Sequence, residues 1–314
     1  MSIPKTYSFI IPHHNTPILL QRLIDSIPQR EDIEVIVVDD NSEDDKKASI
    51  NRSDVLIISL DRESSKGAGR ARNIGMDAAT GKWLLFADSD DFYNPNFIYV
   101  LDEYKDNDID ILFFNIDSVD SETLLPIDVG DRGNYQRMLI EQYDGNEESV
   151  NNLLYWGFGP WRKMLNAKFV KNYGFRFEEI PIANDSFFAF QTSYFAKKWE
   201  MDKRKLYVLT YRKGSITYSK VNKQKYSTII NVYCRRAKLF EYMGHPEWNK
   251  KSLMGSFSQS PFKYVYKLIK KKDIAWLGAL WYYLTHFWII KRNSNFYVEV
   301  FKDLQHKQEK LNLL

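Results

Sequence analysis

The chain has 314 residues, 44% hydrophobic, 15% aromatic and 27% charged, which excludes a disordered or fibrous chain and allows one large domain or two of ordinary size. Its 44 Lys and Arg against 41 Asp and Glu leave a formal charge of only +3, so it is no polycation built to coat nucleic acid. That balance hides a division: 19 basic against 33 acidic residues in 1–195, 20 against 4 in 196–272, and 5 against 4 in the remainder.

In chain order, MSIPKTYSFIIPHHN carries a short apolar run that breaks at Pro12 and lacks the longer run and cleavage site of a secretory signal. With Cys234 as the sole cysteine there is no disulfide framework and no cysteine-based zinc site, and a reducing, cytoplasmic setting is expected. Tyr7 to Ile11, Val35 to Asp39, Val55 to Ser59, Trp83 to Ala87 and Ile109 to Phe114 are the β-branched or aromatic runs of buried parallel strands. Between them, Pro17 to Ile27, Gly69 to Ala79 and Pro95 to Tyr104 have helical spacing. Alternating strands and helices predict a doubly wound α/β sheet. From Asn134 to Phe195 the pattern is mostly helical and aromatic, then Leu206 to Tyr211 is strand-like and a lysine-rich helical region follows.

In such a sheet ligands sit beyond the carboxyl ends of the strands. Those ends are polar here: Pro12-His13-His14-Asn15, Asp39-Asp40-Asn41-Ser42 and Asp88-Ser89-Asp90-Asp91. Two carboxylates about 4 Å apart repel by about 4 kcal/mol at an effective dielectric of 20, so the last cluster either holds a divalent cation such as Mg²⁺ or Mn²⁺ or is a solvated acidic turn. Gly67-Ala68-Gly69-Arg70-Ala71-Arg72 is not a dinucleotide fingerprint, because Arg72 replaces the third glycine. It reads instead as a tight entry into a helix that carries Arg70 and Arg72 toward the crevice, where an anion would offset cations placed at a helix start.

The segments SFIIPHHN, EVIVVDDNSEDD, GAGRARNIGMDAATGKWLLFADSDDF and WRKMLNAKFVKNYGFRFEEIPIANDSFF, in this order between Tyr7 and Thr217, resemble family 2 glycosyltransferases. The resemblance implies a GT-A fold in 1–217, with a donor half near 1–116 and an acceptor half near 117–217. It also implies a nucleotide-diphosphate sugar donor, with UDP the expected nucleotide, a Mn²⁺ or Mg²⁺ ion, and inverting transfer to a hydroxyl of a glycan or lipid-linked acceptor in surface polysaccharide synthesis. By the same resemblance Pro12 to Asn15 flank the nucleotide, and Asp40 accepts from the uracil imide. His14, standing where the family has an aromatic, either stacks on the base or belongs to a surface loop. Arg72 and Asn73 line the donor pocket beside Arg70; Asp88 and Ser89 meet the ribose or a metal-bound water; Asp90 is the principal metal ligand and Asp91 its support.

Asp185 occupies the position of the general base, preceded by Asn184 where the family usually has glutamate; its plain alternative is a helix N-cap. Trp161 stands where an aromatic meets the acceptor, unless it is core packing, and Arg212 and Ser215 belong to a closing segment near the diphosphate. A sugar nucleotidyltransferase and a non-catalytic nucleotide-sugar-binding protein are the competing readings. Region 218–314 is expected to be a basic, aromatic helical extension. Its run from Ile274 to Ile290, flanked by lysines, is too short to span a bilayer; it lies in an anionic membrane interface, packs internally, or forms a homodimer contact.

Overall fold

The apolar runs become strands because a sheet covered on both faces buries most side chains along them; the run Val55 to Ser59, expected to be buried, is the exception, half-buried or exposed at each residue because it forms the edge of the sheet. In the computed structural model, which describes residues 3–127, 132–212, 223–251, 284–285, 288, 290–291 and 293–312, β1 (Tyr7–His13), β2 (Ile33–Asp39), β3 (Val55–Ser59) and β4 (Trp83–Phe86) lie parallel. Helices α1 (Pro17–Ser26) and α2 (Ala68–Ala78) make the crossovers, α1 with Pro in its first turn, where a missing N–H costs nothing. The short β5 (Phe92–Tyr93) and α3 (Phe97–Asp102) follow. The remaining elements are β6 (Ile111–Asp120), α4 (Arg132–Glu141), α5 (Glu147–Trp156), β7 (Lys163–Asn166), α6 (Ala167–Tyr173), α7 (Ser186–Phe195) and β8 (Trp199–Tyr211).

One eight-stranded sheet results, in the order β3-β2-β1-β4-β7-β6-β8-β5. It is mixed: β6 and β8 are parallel, whereas β7 runs antiparallel to both β4 and β6, and β5 antiparallel to β8. The chain order reverses between β1 and β4, so the polar ends of β1, β2 and β4 open on one switch point. Residue pairing is level there, His13 opposite Asp39 and Ile10 opposite Phe86. Beneath it a continuous core joins Phe9, Leu23, Ile24, Trp83, Leu85, Phe97, Leu112 and Tyr207.

The five sequence-predicted strands all form, with differences at three places. β7 falls in a stretch read as helical, because four residues in the middle of a sheet carry too little alternation to register. β6 continues to Asp120 through Asn115, Asp117 and Ser118, where register shifts on both sides of Asn115 break the period-two pattern. β8 begins at Trp199, ahead of the expected Leu206, because its first half is charged.

Contacts divide the chain into two units, Met1–Glu179 with Asn184–Thr217, and Ile180–Ala183 with Tyr218–Leu314. In the second, α8 (Lys223–Tyr242) packs on α9 (Phe296–Asn312), with the Tyr242 hydroxyl donating to Gln305 Oε1 at 3.1 Å and Leu239, Phe240 and Phe301 buried. Burial pushes the Cys234 thiol up to about 12, which suits an inert structural role. Of the expected tail helix from Ile274 to Ile290, only Leu284, Thr285, Trp288 and Ile290 are described, and the rest lies outside the described residues. Among the described residues no helix is long and apolar enough to cross a membrane.

Candidate active site

The loops after β1 and β2 turn at asparagines that tolerate left-handed backbone, Asn15 at φ 57° and Asn41 at φ 58°, and Asn15 locks the two together. Asn15 receives the Glu43 N–H on Oδ1 at 2.8 Å and gives its own N–H to Ser42 Oγ at 2.9 Å. Pro12 and His13 are buried. Burial lowers the His13 pKa, so this ring is neutral and structural, with Nε2 donating to the Lys46 carbonyl. His14 is exposed; its Nδ1 donates to the Asp40 carbonyl at 3.0 Å, leaving Nε2 to accept from Asn15 Nδ2 at 3.3 Å. Asp40 is 8% exposed: Oδ2 accepts the Gly67 N–H at 2.9 Å, and Oδ1 is buried without a hydrogen-bond partner among the described residues. Gly67, at φ +85°, makes the turn that brings its N–H there as α2 begins.

The aspartate turn after β4 divides its carboxylates between two jobs. Asp91 is turned into the protein, where Oδ2 accepts the Tyr207 hydroxyl at 2.6 Å and Oδ1 the Thr210 N–H at 2.7 Å. Both of its oxygens are therefore used by the fold. Burial first, then Asp90 and Asp88, raises its pKa well above the usual range. Tyr207 also accepts the Asp88 N–H at 2.9 Å, and its ring stacks on Trp161 at 5.6 Å. Trp161, 7% exposed, thus supports the turn from within the core, the packing alternative left open by its sequence context. Ser89, also buried, pairs its hydroxyl with Thr16 Oγ1 at 2.9 Å.

Asp88 and Asp90 keep their side chains 34% and 26% exposed. Burial and the charge of Asp88 raise the Asp90 pKa. Arg212 stands 3.8 Å from Asp90 Oδ2, and Arg22 and Thr210 fix the turn by donating to the Asp90 carbonyl at 2.6 Å each. Among the described residues no group of three or more His, Cys, Asp or Glu could hold a metal ion unaided. Two crowded carboxylates do fit a hard cation that takes its other oxygens from a diphosphate and water. Ser215 lies outside the described residues.

Across the crevice, the 176–179 segment and Asn184 are clamped onto α2. Asn73 donates to the Phe177 carbonyl at 3.0 Å and accepts the Phe177 N–H at 2.9 Å. A Cβ on Gly69 would stand 2.0 Å from the Glu178 carbonyl oxygen, so only glycine permits the approach. Arg70 does not point at an empty anion site; it bonds Glu179 Oε1 at 3.1 Å. Arg72, 5% exposed, lies 5.3 Å from the Phe177 ring centroid and divides its guanidinium, Nη2 to Asp88 Oδ1 at 2.5 Å and Nη1 to Asn184 Oδ1 at 2.8 Å. Asp185 follows at the start of α7 and makes no capping bond to the helix N–H groups, unlike an ordinary N-cap. Tyr207, Thr210 and Arg22 escape sequence reading because a tyrosine in an apolar strand and an arginine on a helix surface look like core and solvent positions.

The sequence model of glycosyl transferase family 2 matches residues 8–199. The chain is 29% identical over 180 residues to the succinoglycan biosynthesis protein ExoO of Rhizobium meliloti, a match covering 55% of this chain and 51% of that one. It is 24% identical over 258 residues to the glycosyltransferase GlyA of Streptococcus pneumoniae, covering 78% of this chain and 36% of that protein. Among solved structures, Staphylococcus aureus TarS 1–349 in complex with UDP-GlcNAc is similar with a TM-score of 0.56 and 20% identity, over 72% of this chain and 65% of that one. The chain spans about half or less of the length of these curated relatives, and the likeness to TarS bears on the fold, which is of the GT-A type.

The Tyr207 hydroxyl satisfies two buried groups at once, so Tyr207→Phe strands the Asp88 N–H and one Asp91 oxygen. A loss of roughly 1–3 kcal/mol in urea unfolding is expected, and an unchanged unfolding midpoint would show that the hydroxyl does not hold the turn.

Proposed function

The chain belongs to glycosyl transferase family 2, and on that footing we propose that it transfers a sugar from a UDP-linked donor to a hydroxyl of a glycan or lipid-linked acceptor, with inversion, in bacterial surface polysaccharide synthesis. The observation that carries the proposal is Arg72, whose guanidinium joins Asp88 on the donor side to Asn184, the neighbour of Asp185, on the acceptor side. The same arginine thereby ties the start of α7, where Asp185 stands, to the aspartate turn that would meet a sugar nucleotide.

Asp40 suits the nucleobase, because its buried Oδ1 needs a donor and the uracil imide N–H supplies one. His14, exposed next to it, offers a ring face for stacking. Asp88 and Asp90 would hold Mn²⁺ or Mg²⁺, which supplies neutralisation of the departing diphosphate. Arg212, 3.8 Å from Asp90, is the side chain available to turn to the same phosphates. Asp185 accepts the proton of the acceptor hydroxyl as it attacks the anomeric carbon from the face opposite the leaving group. Asn184 presents an amide where the family's glutamate would add a charge, so Arg72 balances one carboxylate here instead of two.

For attachment, the exposed Leu284 and Trp288, at 63% and 76%, with Lys291 Nζ 5.6 Å from the Trp288 ring, suit the headgroup region of an anionic leaflet. The chain would then work at the inner face of the plasma membrane, where a lipid-linked acceptor is within reach.

Asp185→Asn is expected to bind UDP-sugar as the wild type does and to lose about 10²- to 10⁴-fold in turnover, roughly 3–5 kcal/mol. Transfer at the wild-type rate would remove Asp185 as the base. For the cation, calorimetric titration of UDP into Asp90→Ala should show weakened binding that Mn²⁺ does not restore; equal affinity in the two proteins with Mn²⁺ would take Asp90 out of the metal site. Cosedimentation with phosphatidylglycerol vesicles should fall in a Leu284→Ser, Trp288→Ser double variant, and equal partitioning would sink the interfacial role.

A further inference from the structure

Lys163 lies outside the crevice, at the start of β7 in the middle of the sheet, and is 1% exposed. A buried ammonium is costly to keep and survives where its hydrogen bonds and charge are answered. Two acceptors answer it, the Ala189 carbonyl at 3.1 Å and Ser193 Oγ at 3.0 Å, both on α7. From β6 the Phe113 ring faces it at 5.3 Å. Arg162, fully buried beside it and bonded to Gln136 and the Leu153 carbonyl, adds like charge. Burial and Arg162 pull the Lys163 pKa well down, and the charge of Asp185 opposes them.

The link to Asp185 is also one of bonds. Ala189, whose carbonyl receives Lys163, gives its own N–H to the Asp185 carbonyl at 2.9 Å in the first turn of α7. A second bond one turn further, to Ser193, prevents the helix from rotating about the first. On the opposite side Asn184, its neighbour in sequence, is bonded to Arg72 and Arg72 to Asp88.

We propose that Lys163 is a positioning residue for transfer: from beneath α7 it ties the helix that begins after Asp185 to the middle of the sheet. The inference rests on the reading of Asp185 as the base. Lysine suits the place because its single ammonium can serve a carbonyl and a hydroxyl at once. Loss of both bonds would release α7 from the sheet and let its first residues, Asp185 with them, shift against the aspartate turn.

The test uses the full chain with UDP-glucose and UDP-N-acetylglucosamine as probes, following UDP release by slow hydrolysis, together with thermal melting and UDP affinity. Lys163→Met should keep its melting temperature and UDP affinity and lose about 10- to 100-fold in rate at saturating donor. Lys163→Arg, which can donate to the same two acceptors, should recover part of that rate. Should the Met variant not fold, Ser193→Ala, which removes one acceptor and keeps the lysine, should show the same fall in rate without loss of UDP affinity. A Met variant with wild-type rate, or one whose UDP affinity falls in step with its rate, overturns the inference. Asp185→Asn is run in parallel: if it hydrolyses donor like the wild type, the base reading fails by itself, whereas an inactive Asp185→Asn beside an unaffected Lys163→Met refutes the lysine's role alone.

Discussion

The structure is organised around the mutual repulsion of the carboxylates that follow β4. Asp88, Asp90 and Asp91 fall within four residues, at a strand end where the sheet lowers the dielectric, and each close pair costs about 4 kcal/mol at 4 Å for an effective dielectric of 20. The fold reduces that cost by separation. Asp91 is drawn inward by Tyr207 and Thr210, Asp88 is bonded by Arg72, and Asp90 is left with Arg212 at a loose 3.8 Å and with its carbonyl pinned by Arg22 and Thr210. The turn is therefore rigid in its backbone and under-neutralised at one side chain, which is the condition that suits a site for a cation and a diphosphate.

The same economy positions the opposite wall. Arg72 bonds Asp88 with one end of its planar guanidinium fork and Asn184 with the other, so a single cation serves both sides. The Asn73 pair with Phe177 and the absence of a Cβ at Gly69 bring the backbone of 177–178 against α2, which sets the distance over which that fork must span. One helix thus sets the spacing between the aspartate turn and the 176–179 segment. Within the Gly-Ala-Gly-Arg-Ala-Arg-Asn stretch, Gly67 bonds Asp40, Gly69 and Asn73 meet the opposite segment, and Arg70 bonds Glu179.

The parallel half was legible because buried strands in a doubly wound sheet are apolar throughout and end in turns, and Tyr7 to Ile11 or Val35 to Asp39 show this without any tertiary knowledge. The antiparallel half was not, since Lys163 to Asn166 is strand only by virtue of the neighbours on either side and charged residues occupy the first part of β8. At the site, residue identity told which carboxylates gather but not which way each faces. Asp91 and Asp88 are chemically alike, yet the hydroxyl of Tyr207, more than a hundred positions away, meets the carboxylate of the first and the backbone N–H of the second. Trp161 illustrates the same limit, for a tryptophan after Gly-Pro reads equally as a sugar platform and as the partner of a buried tyrosine.

What remains is the contrast between the two walls. The wall at the ends of β1 and β2 is built from strand ends in register, cross-braced by short bonds between adjacent loops such as Asn15 to Glu43 and Asp39 to Ser42 and Ala48. The bonds to Ser42 and Ala48 hold the Asp39 carboxylate below its ordinary range in spite of its burial. α7 is held instead by aromatic packing, Phe188 against Phe86 and Phe177, and by side chains from other elements, Arg72 to Asn184 and Lys163 to Ala189 and Ser193. Arg72 is shared with Asp88, so a change there reaches both walls, whereas the bonds of Lys163 run to α7. Of these two supports, Lys163 is therefore the one through which α7 can be adjusted while Asp88 keeps its partner.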